Sequence, residues 1–297
     1  MPARRAAASS VAIEHFTRRV DGLDLHVAAA GPGDAPLVVL LHGFPEFWYG
    51  WWRQLEALGD AGWRAVAPDQ RGYGLSSKPK GVRAYALDVL AADVIALASA
   101  LGDRRFTLVG HDWGGIVAWH VASRYPEHVK GLAILNAPHP GVVAAHALRH
   151  PMQLVRSAYV GFFQVPLVPE LVLAANDHRL LALALEGSSR PGTFTAEDIA
   201  IYREAWRQDG ALTAMLNWYR AIPLAGAVGS ERTIERPVLI LWGDADTALQ
   251  ASLAEASAER CSAAVVTHFA DATHWLQHEK AAEVNRLLLS FVERVNR

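Results

Sequence analysis

Phe106-Thr-Leu-Val-Gly-His-Asp-Trp-Gly-Gly115 is the stretch that decides the fold of this 297-residue chain. Its apolar start, residues 106–109, predicts a buried strand, and a helical pattern begins at Ile116. The turn between them carries Asp112 with glycines on both sides. Glycines permit a turn that is too tight for a Cβ atom, so the central side chain projects into a cleft. The stretch therefore predicts a strand, a strained turn and a helix that present one carboxylate for chemistry.

An aspartate at the centre of this turn favours a particular reaction. With a reference pKa of about 3.9, a carboxylate is already ionised at neutral pH. It is a weak nucleophile toward a carbonyl but suits displacement at an electrophilic sp3 carbon, and the product is an ester that water must cleave. In this motif, the nucleophile elbow, serine is the more usual residue. The presence of Asp112 in this motif therefore predicts hydrolysis of a strained ring or of a carbon–halogen bond. The alternative is that Asp112 is an ordinary turn aspartate with no catalytic role.

Composition and charge exclude several classes of function. The formal net charge is -2 and no long basic run is present, which argues against nucleic-acid or membrane-surface binding. Cys261 is the single cysteine, so no internal disulfide is possible and a reducing, cytoplasmic location is expected. The stretch after Arg4 and Arg5 is too weakly apolar for a signal peptide. No apolar run approaches the roughly 20 residues of a membrane span.

Apolar runs along the chain predict an α/β fold with a mostly parallel central sheet flanked by helices. A hairpin with an Asp-Gly turn is expected at 16–30, and an amphipathic helix at 87–101. Strands that alternate with such helices are typical of parallel sheets covered on both faces. Further strands are predicted at 37–41, 64–67, 106–109, 129–135, 238–242 and 264–269.

Residues 137–229 have a different character. They are rich in leucine and alanine, are punctuated by prolines, and predict several helices with no clear strand. We expect this segment to be an inserted helical cap that excludes water and shapes a pocket. The core would then consist of two parts, 1–136 and 230–297, in a monomer or homodimer.

Asp112 needs a base to activate the water that cleaves its ester. A neutral histidine is suited to this, and enzymes with this elbow carry nucleophile, acid and histidine in that chain order. His274 lies on the loop after the last predicted strand, with His268 and His278 as nearby competitors. The orienting acid follows the strand ending at Trp242, and the Gly-x-x-Asp spacing favours Asp246 over Asp244. A metal site is not predicted, because a third ligand to accompany His274 and His278 is not evident.

Two further groups of residues complete the predicted site. Backbone N–H groups of Phe44 and Trp113 are the expected donors to the oxyanion that forms when water attacks the ester. An epoxide oxygen, unlike a halide, leaves as an alkoxide and needs a strong donor. Tyr159 and Tyr219, in the helical segment, are candidates for that donor, although a helix tyrosine is more often a packing residue. Apolar pocket walls are expected from Trp48, Trp113, Phe162 and Trp218.

Several motifs are similar to those of one enzyme family. They are His42-Gly-Phe-Pro45, Asp69-x-Arg-Gly-x-Gly-x-Ser76, Gly110-His-Asp-Trp-Gly-Gly115, Asn217-Trp-Tyr-Arg220 and His274-Trp-x-Gln277. Over nearly its whole length the chain resembles the soluble epoxide hydrolases of the α/β-hydrolase fold. The resemblance implies that Asp112 is the nucleophile and that Tyr159 and Tyr219 polarise the epoxide oxygen. It also implies a cis peptide before Pro45, and an apolar epoxide and water as reactants with no cofactor.

Three alternatives compete with this interpretation. Haloalkane dehalogenases share the elbow, but they often carry an asparagine as halide donor where this chain has Phe44. Fluoroacetate dehalogenases are also similar, but they carry arginine after the nucleophile, where this chain has Trp113. The paired tyrosines favour an epoxide over either halide. The third possibility, a non-catalytic ligand-binding protein of the same fold, would require a broken catalytic set, and the sequence shows none.

Overall fold

The computed structural model describes residues 11–224 and 233–297. Its strands are β1 (Glu14–Val20), β2 (Leu23–Ala30), β3 (Leu37–Leu41), β4 (Arg64–Pro68), β5 (Phe106–His111), β6 (Val129–Leu135), β7 (Val238–Gly243) and β8 (Ala264–Phe269). They form one sheet in the order β1-β2-β4-β3-β5-β6-β7-β8. The β1–β2 and β2–β4 pairs are antiparallel, and all other pairs are parallel. The prediction of an α/β fold with a mostly parallel central sheet is confirmed.

The described residues also form α-helices. They are α1 (Trp52–Asp60), α2 (Leu87–Ala100), α3 (Trp113–Arg124), α4 (Pro140–Arg149), α5 (Pro151–Arg156), α6 (Ala158–Phe163), α7 (Val168–Ser188), α8 (Ala196–Trp206), α9 (Ala211–Arg220), α10 (Ser252–Ala258), α11 (Leu276–Glu279) and α12 (Ala281–Asn296). Short 3-10 helices lie at Trp48–Trp51, Val82–Tyr85, Pro126–His128 and Ile222–Leu224. None of the helices in the described parts of the chain is long and apolar enough to cross a membrane.

Strand β3 shows how the sequence places the core. All five of its residues are buried, because helices cover both faces of the sheet there. Val39 and Leu41 join the cluster on the side of α2 and α3, while Val38 and Leu40 join the cluster on the side of α1 and α12. Because successive side chains of a strand point to opposite faces of the sheet, β3 contributes residues to both apolar cores.

The segment between β6 and β7 is helical where the structure describes it. Helices α4 to α9 occupy it, and no strand occurs in residues 136–224. A capping box formed by Thr195 and Asp198 opens α8. Helix α7 is interrupted at residues 175–178, where the backbone leaves the helical region, and the sequence pattern does not predict this interruption. Residues 225–232 lie outside the described part, so the boundary of the proposed cap at 229 stays a prediction.

Candidate active site

The predicted elbow positions Asp112 at the carboxyl end of the central strand β5. Asp112 follows β5 directly, precedes α3 and has a φ of 50°, a region that non-glycine residues rarely adopt. A Cβ on Gly110 would lie 2.5 Å from the carbonyl oxygen of Gly114. A Cβ on Gly114 would lie 2.2 Å from the carbonyl oxygen of Leu41. The two glycines therefore let strand, turn and helix approach closely enough to hold Asp112 in this conformation.

The close packing at Gly114 gives a stability prediction. Gly114→Ala is expected to lower the free energy of unfolding by about 3 kcal/mol or more, at the upper end for overpacked sites, because backbone atoms rather than a flexible side chain block the new methyl group. Gly161→Ala in α6 is the matched control, since nothing lies within 4 Å of its Cβ position. Denaturant unfolding of both variants measures the difference. Equal stabilities would contradict the account of the elbow.

The structure brings the three predicted triad side chains together. His274 Nε2 lies 3.6 Å from Asp112 Oδ2, and His274 Nδ1 lies 2.7 Å from Asp246 Oδ2. The other oxygen of Asp246 accepts hydrogen bonds from the backbone N–H groups of Ala248 and Leu249. The imidazole is thereby held between two carboxylates, one of which is anchored by its own loop.

Asn136 supports this triad, although it is not among the site residues predicted from the sequence. Its side-chain nitrogen donates to Asp246 Oδ2 at 2.7 Å, and its side-chain oxygen accepts from the N–H of Gly243 at 2.8 Å. It is fully buried and has a φ of 38°. A polar residue immediately after the buried strand β6, next to the strand that leads to Asp246, was the available signal. Asn136 fixes the carboxylate that orients His274.

The charges of His274, Asp112 and Asp246 shift one another's pKa values. Burial alone would lower the pKa of His274, but the charge of Asp246 and the hydrogen bonds that His274 donates to both carboxylates raise it to about 10. Burial would raise the pKa of Asp112, and the hydrogen bond and charge of His274 more than reverse this. The pKa of Asp246 is lowered in the same way. The free site therefore holds an imidazolium between two carboxylates at neutral pH.

The raised pKa of His274 predicts that stability falls as the pH rises from 6.5 to about 10. The folded state binds this proton more tightly than the unfolded chain, so the contribution is complete below pH 6.5 and is lost as the pH passes through about 10. Denaturant unfolding across this range measures it. A His274→Gln variant, which has no group titrating at this position, is expected to show a flatter dependence. If the free energies of unfolding of the two proteins changed with pH in the same way, the raised pKa of His274 would be contradicted.

One backbone N–H group contacts the Asp112 carboxylate, and the role of Phe44 and Trp113 as oxyanion donors stays a prediction. The N–H of Phe44 donates to Asp112 Oδ1 at 2.8 Å. Trp113 is the first residue of α3, a position whose N–H has no partner within the helix. Gly43 allows the loop to come this near, since a Cβ there would lie 2.4 Å from the Cβ of Asp112. The Phe44–Pro45 peptide is cis, as the resemblance implies.

The two predicted tyrosines face the same space as Asp112. Tyr159 on α6 and Tyr219 on α9 have ring centroids 5.9 Å apart. Both line the two cavities that Asp112 also lines. Desolvation of its hydroxyl and the nearby Asp112 charge raise the pKa of Tyr159 above its ordinary value, and burial with the Asp112 charge raises the pKa of Tyr219. Both hydroxyls therefore keep their protons and can donate hydrogen bonds at neutral pH.

The two cavities meet at this centre. The smaller has a volume of about 250 Å³ and is lined in part by Trp113 and Trp218, and the larger has a volume of about 550 Å³ and is lined in part by Phe162. Trp48 lines neither cavity, which corrects the prediction that it forms a pocket wall. Its indole packs edge-on against His15, with ring centroids 4.6 Å apart.

The competing titratable groups have other partners. His268 bonds to Asp244 and to Glu255 near the surface, and the pKa of His268 is raised because these hydrogen bonds and charges outweigh burial, which lowers it. His278 bonds to the buried carboxylate of Glu46. Across residues 11–224 and 233–297, no cluster of three or more histidine, cysteine, aspartate or glutamate side chains could hold a metal ion.

Glu46 connects the oxyanion loop to its surroundings. It is 1% exposed and accepts hydrogen bonds from Tyr202 on α8 and from Gln277 and His278 on α11. Burial would raise the pKa of Glu46, but the charge of His278 and the hydrogen bond from His111 lower it well below its usual range. This buried carboxylate ties the loop of Phe44 to the helical segment and to the helix beside His274.

Comparisons with known proteins agree with this architecture. Residues 36–281 match the family model described as the alpha/beta hydrolase fold. A Bacillus subtilis relative, AB hydrolase superfamily protein YfhM, is 47% identical over 92% of this chain and 96% of its own length. Epoxide hydrolase 4 from Mus musculus is 38% identical over 93% of this chain and 78% of its own length.

Solved structures give the same result. An epoxide hydrolase from Bacillus megaterium, as its M145A mutant, superimposes with a TM-score of 0.86 at 31% identity and covers 94% of this chain and 100% of that one. Epoxide hydrolase VrEH1 from Vigna radiata superimposes with a TM-score of 0.81 at 29% identity, over 95% and 98% of the two chains. This chain therefore belongs to the α/β-hydrolase fold family and, within it, to the epoxide hydrolases, as its motifs predict.

Proposed function

We propose that this protein hydrolyses apolar epoxides to vicinal diols through an alkyl ester on Asp112. The observation that carries the proposal is the placement of two protonated phenols and an ionised carboxylate in the same cavities. An epoxide seated between them would have a carbon facing Asp112 and its oxygen facing Tyr159 and Tyr219. A halide would not need the two hydroxyl donors.

Ring opening forms one bond and breaks another. An oxygen of Asp112 attacks one epoxide carbon, the ring carbon–oxygen bond breaks, and its electron pair stays on the departing oxygen. A tyrosine hydroxyl gives that oxygen a proton. The proton that His274 holds in the free site replaces it, through water. The carboxylate charge is now an ester, so one of the two anions that raised the pKa of His274 has gone, and the imidazole is left neutral.

Ester cleavage then uses the neutral imidazole as base. His274, oriented by Asp246, takes a proton from water, and the water oxygen attacks the ester carbon of Asp112. The N–H groups of Phe44 and Trp113 stabilise the oxyanion. The intermediate collapses, the diol leaves with the proton from His274, and the new carboxylic acid returns its proton to the imidazole. The resting charges are restored with no cofactor or metal.

Helices α4 to α9 are proposed to act as the cap over this reaction. They contribute Tyr159 and Tyr219, and they form much of the wall of both cavities. Closing the site in this way excludes bulk water from the reacting atoms. The domain division predicted from the sequence, with the cap at 137–229 between two parts of the core, is retained in the proposal.

The first test is diol formation by the purified protein. We expect a panel of apolar epoxides to be converted to diols, and an Asp112→Asn variant to convert none of them. Halide release from a parallel panel of alkyl halides, without diol formation, would favour a dehalogenase. Inertness toward both panels would favour a non-catalytic binding protein.

A further inference from the structure

The loop that carries His274 lies outside regular secondary structure. Residues 270–275 connect β8 to α11 and belong to neither element. The imidazole is held by its bond to Asp246, but the position of the ring also depends on the backbone that bears it. Because the backbone groups of an irregular loop have no helix or strand ladder to bond to, other partners must fix this backbone.

Glu279 on α11 is one such partner. Its Oε2 accepts the backbone N–H of Thr273 at 2.7 Å, and its Oε1 accepts the hydroxyl of Thr273 at 2.7 Å. The Thr273 hydroxyl oxygen in turn accepts the backbone N–H of Trp275 at 3.4 Å. A single carboxylate therefore holds, directly or through Thr273, the residues on both sides of His274.

The same carboxylate also bonds to the helical segment between β6 and β7. Its Oε1 accepts the backbone N–H of Arg190, just beyond the end of α7, at 2.7 Å. Close to this contact, the indole N–H of Trp275 donates to the hydroxyl of Ser188 at 2.8 Å. Glu279 therefore lies at the junction between the loop of His274 and the end of α7.

The three groups that donate to the Glu279 carboxylate are neutral. An ionised carboxylate accepts several hydrogen bonds at once, and bonds to a charged acceptor are stronger than those between neutral groups. Glutamine would replace one of the two oxygens by an NH2 group that cannot accept. Glu279 lines neither cavity, so any effect that it has on a substrate bound there is indirect.

We propose that Glu279 is a positioning residue for His274. By fixing Thr273, it keeps the imidazole oriented with Nδ1 toward Asp246 and Nε2 toward Asp112, the geometry that ester cleavage needs. The inference rests on the proposed function and adds to it a residue outside both cavities. Ring opening uses the Asp112 carboxylate as nucleophile and needs no activated water. Glu279 should therefore affect the second step far more than the first.

The test measures the two steps separately. In Glu279→Ala we expect the rate of ester cleavage to fall at least about tenfold and that of ring opening to change by less than about threefold, because misplacing a catalytic group by roughly 1 Å costs about 10²-fold in the step that uses it. The ester should then accumulate on the protein and be detected by intact mass spectrometry. Glu279→Gln, which retains one accepting oxygen, should show a smaller effect on the same step.

Asp271→Asn is the matched control. Asp271 lies on the same loop, but its carboxylate bonds to the side chains of Arg190 and Lys280. Its variant should keep both rates, and a loss of ester cleavage as large as that in Glu279→Ala would overturn the proposal. Equal slowing of both steps in Glu279→Ala, or unchanged rates, would overturn it as well. If Glu279→Ala does not fold, Glu279→Gln is judged by the same ratio of rates.

A readout that needs no substrate separates the positioning role from the proposed function. The His274 proton that bonds to Asp246 should give a downfield NMR signal, assigned by its loss in His274→Gln. Glu279→Ala should shift or broaden this signal, and Asp271→Asn should leave it unchanged. An unchanged signal in Glu279→Ala would overturn the positioning role whether or not an epoxide is hydrolysed. Failure of the proposed function is distinct, because the wild-type protein would then form no diol, whatever the signal shows.

Discussion

His274→Gln is expected to stop the reaction at the ester and to lower steady-state turnover by about 10²- to 10⁴-fold, the contribution typical of a general base. Glutamine retains a side chain that can hydrogen-bond to Asp246 but has no basic nitrogen to accept a proton from water. Ring opening by Asp112 does not need a base, so about one equivalent of epoxide should be consumed per protein. Intact mass spectrometry should then show the protein heavier by the whole mass of the epoxide.

Two controls define the result. The double variant Asp112→Asn with His274→Gln should gain no mass, which assigns the adduct to Asp112. His268→Gln is the matched histidine control, because His268 binds Asp244 and Glu255 outside the site, and it should retain turnover. An unmodified His274→Gln protein with substantial turnover would contradict the role given to His274.

The second large effect is expected from removing the hydroxyl groups of both Tyr159 and Tyr219. Tyr159→Phe with Tyr219→Phe should slow ester formation by more than about 10³-fold, because a single preorganised donor to a developing oxyanion is commonly worth 10²- to 10³-fold. Each single variant should be intermediate, since one donor remains. Rapid-quench measurement of the first turnover follows this step separately from ester cleavage.

Tyr49→Phe is the control for loss of a hydrogen-bonded tyrosine hydroxyl outside the site. Tyr49 donates to Asp198 and lines neither cavity, so its variant should open the ring at the wild-type rate. If the double variant were also to open epoxides at the wild-type rate, the ester chemistry of Asp112 would stand, but the reason for preferring epoxides over halides would be lost.

Local patterns in the sequence predicted most of the fold and the chain order of the three triad residues. The elbow can be recognised in the sequence because its glycines must all lie within one turn. The triad can be predicted because the carboxyl ends of parallel strands meet at one edge of a sheet. The selection of His274 over His268, and of Asp246 over Asp244, rested on position alone. The geometry agrees with both selections, since His274 bonds to Asp246 while His268 bonds to Asp244.

What the sequence did not reveal depends on contacts between distant segments. Asn136 reaches Asp246 across two neighbouring strands, and Arg156 reaches the carbonyl of the same residue from a helix between β6 and β7. Neither contact produces a pattern within a short stretch of the sequence. Trp48 was misplaced for a related reason: an aromatic residue near a functional loop packs on either side of it, and the partner that decided the side, His15, lies on β1. Composition predicted several helices in the segment between β6 and β7, but not which of their side chains reach the cavities.

The most direct test of the Asp112 ester is a single turnover in ¹⁸O-labelled water with protein in excess over epoxide. Because water is proposed to attack the ester carbon, the diol should leave with one oxygen from the epoxide and one from Asp112. The account therefore predicts an unlabelled diol and ¹⁸O in the peptide that contains Asp112. Label in the diol of this first turnover, with none in Asp112, would show direct attack of water on the epoxide and would contradict the account.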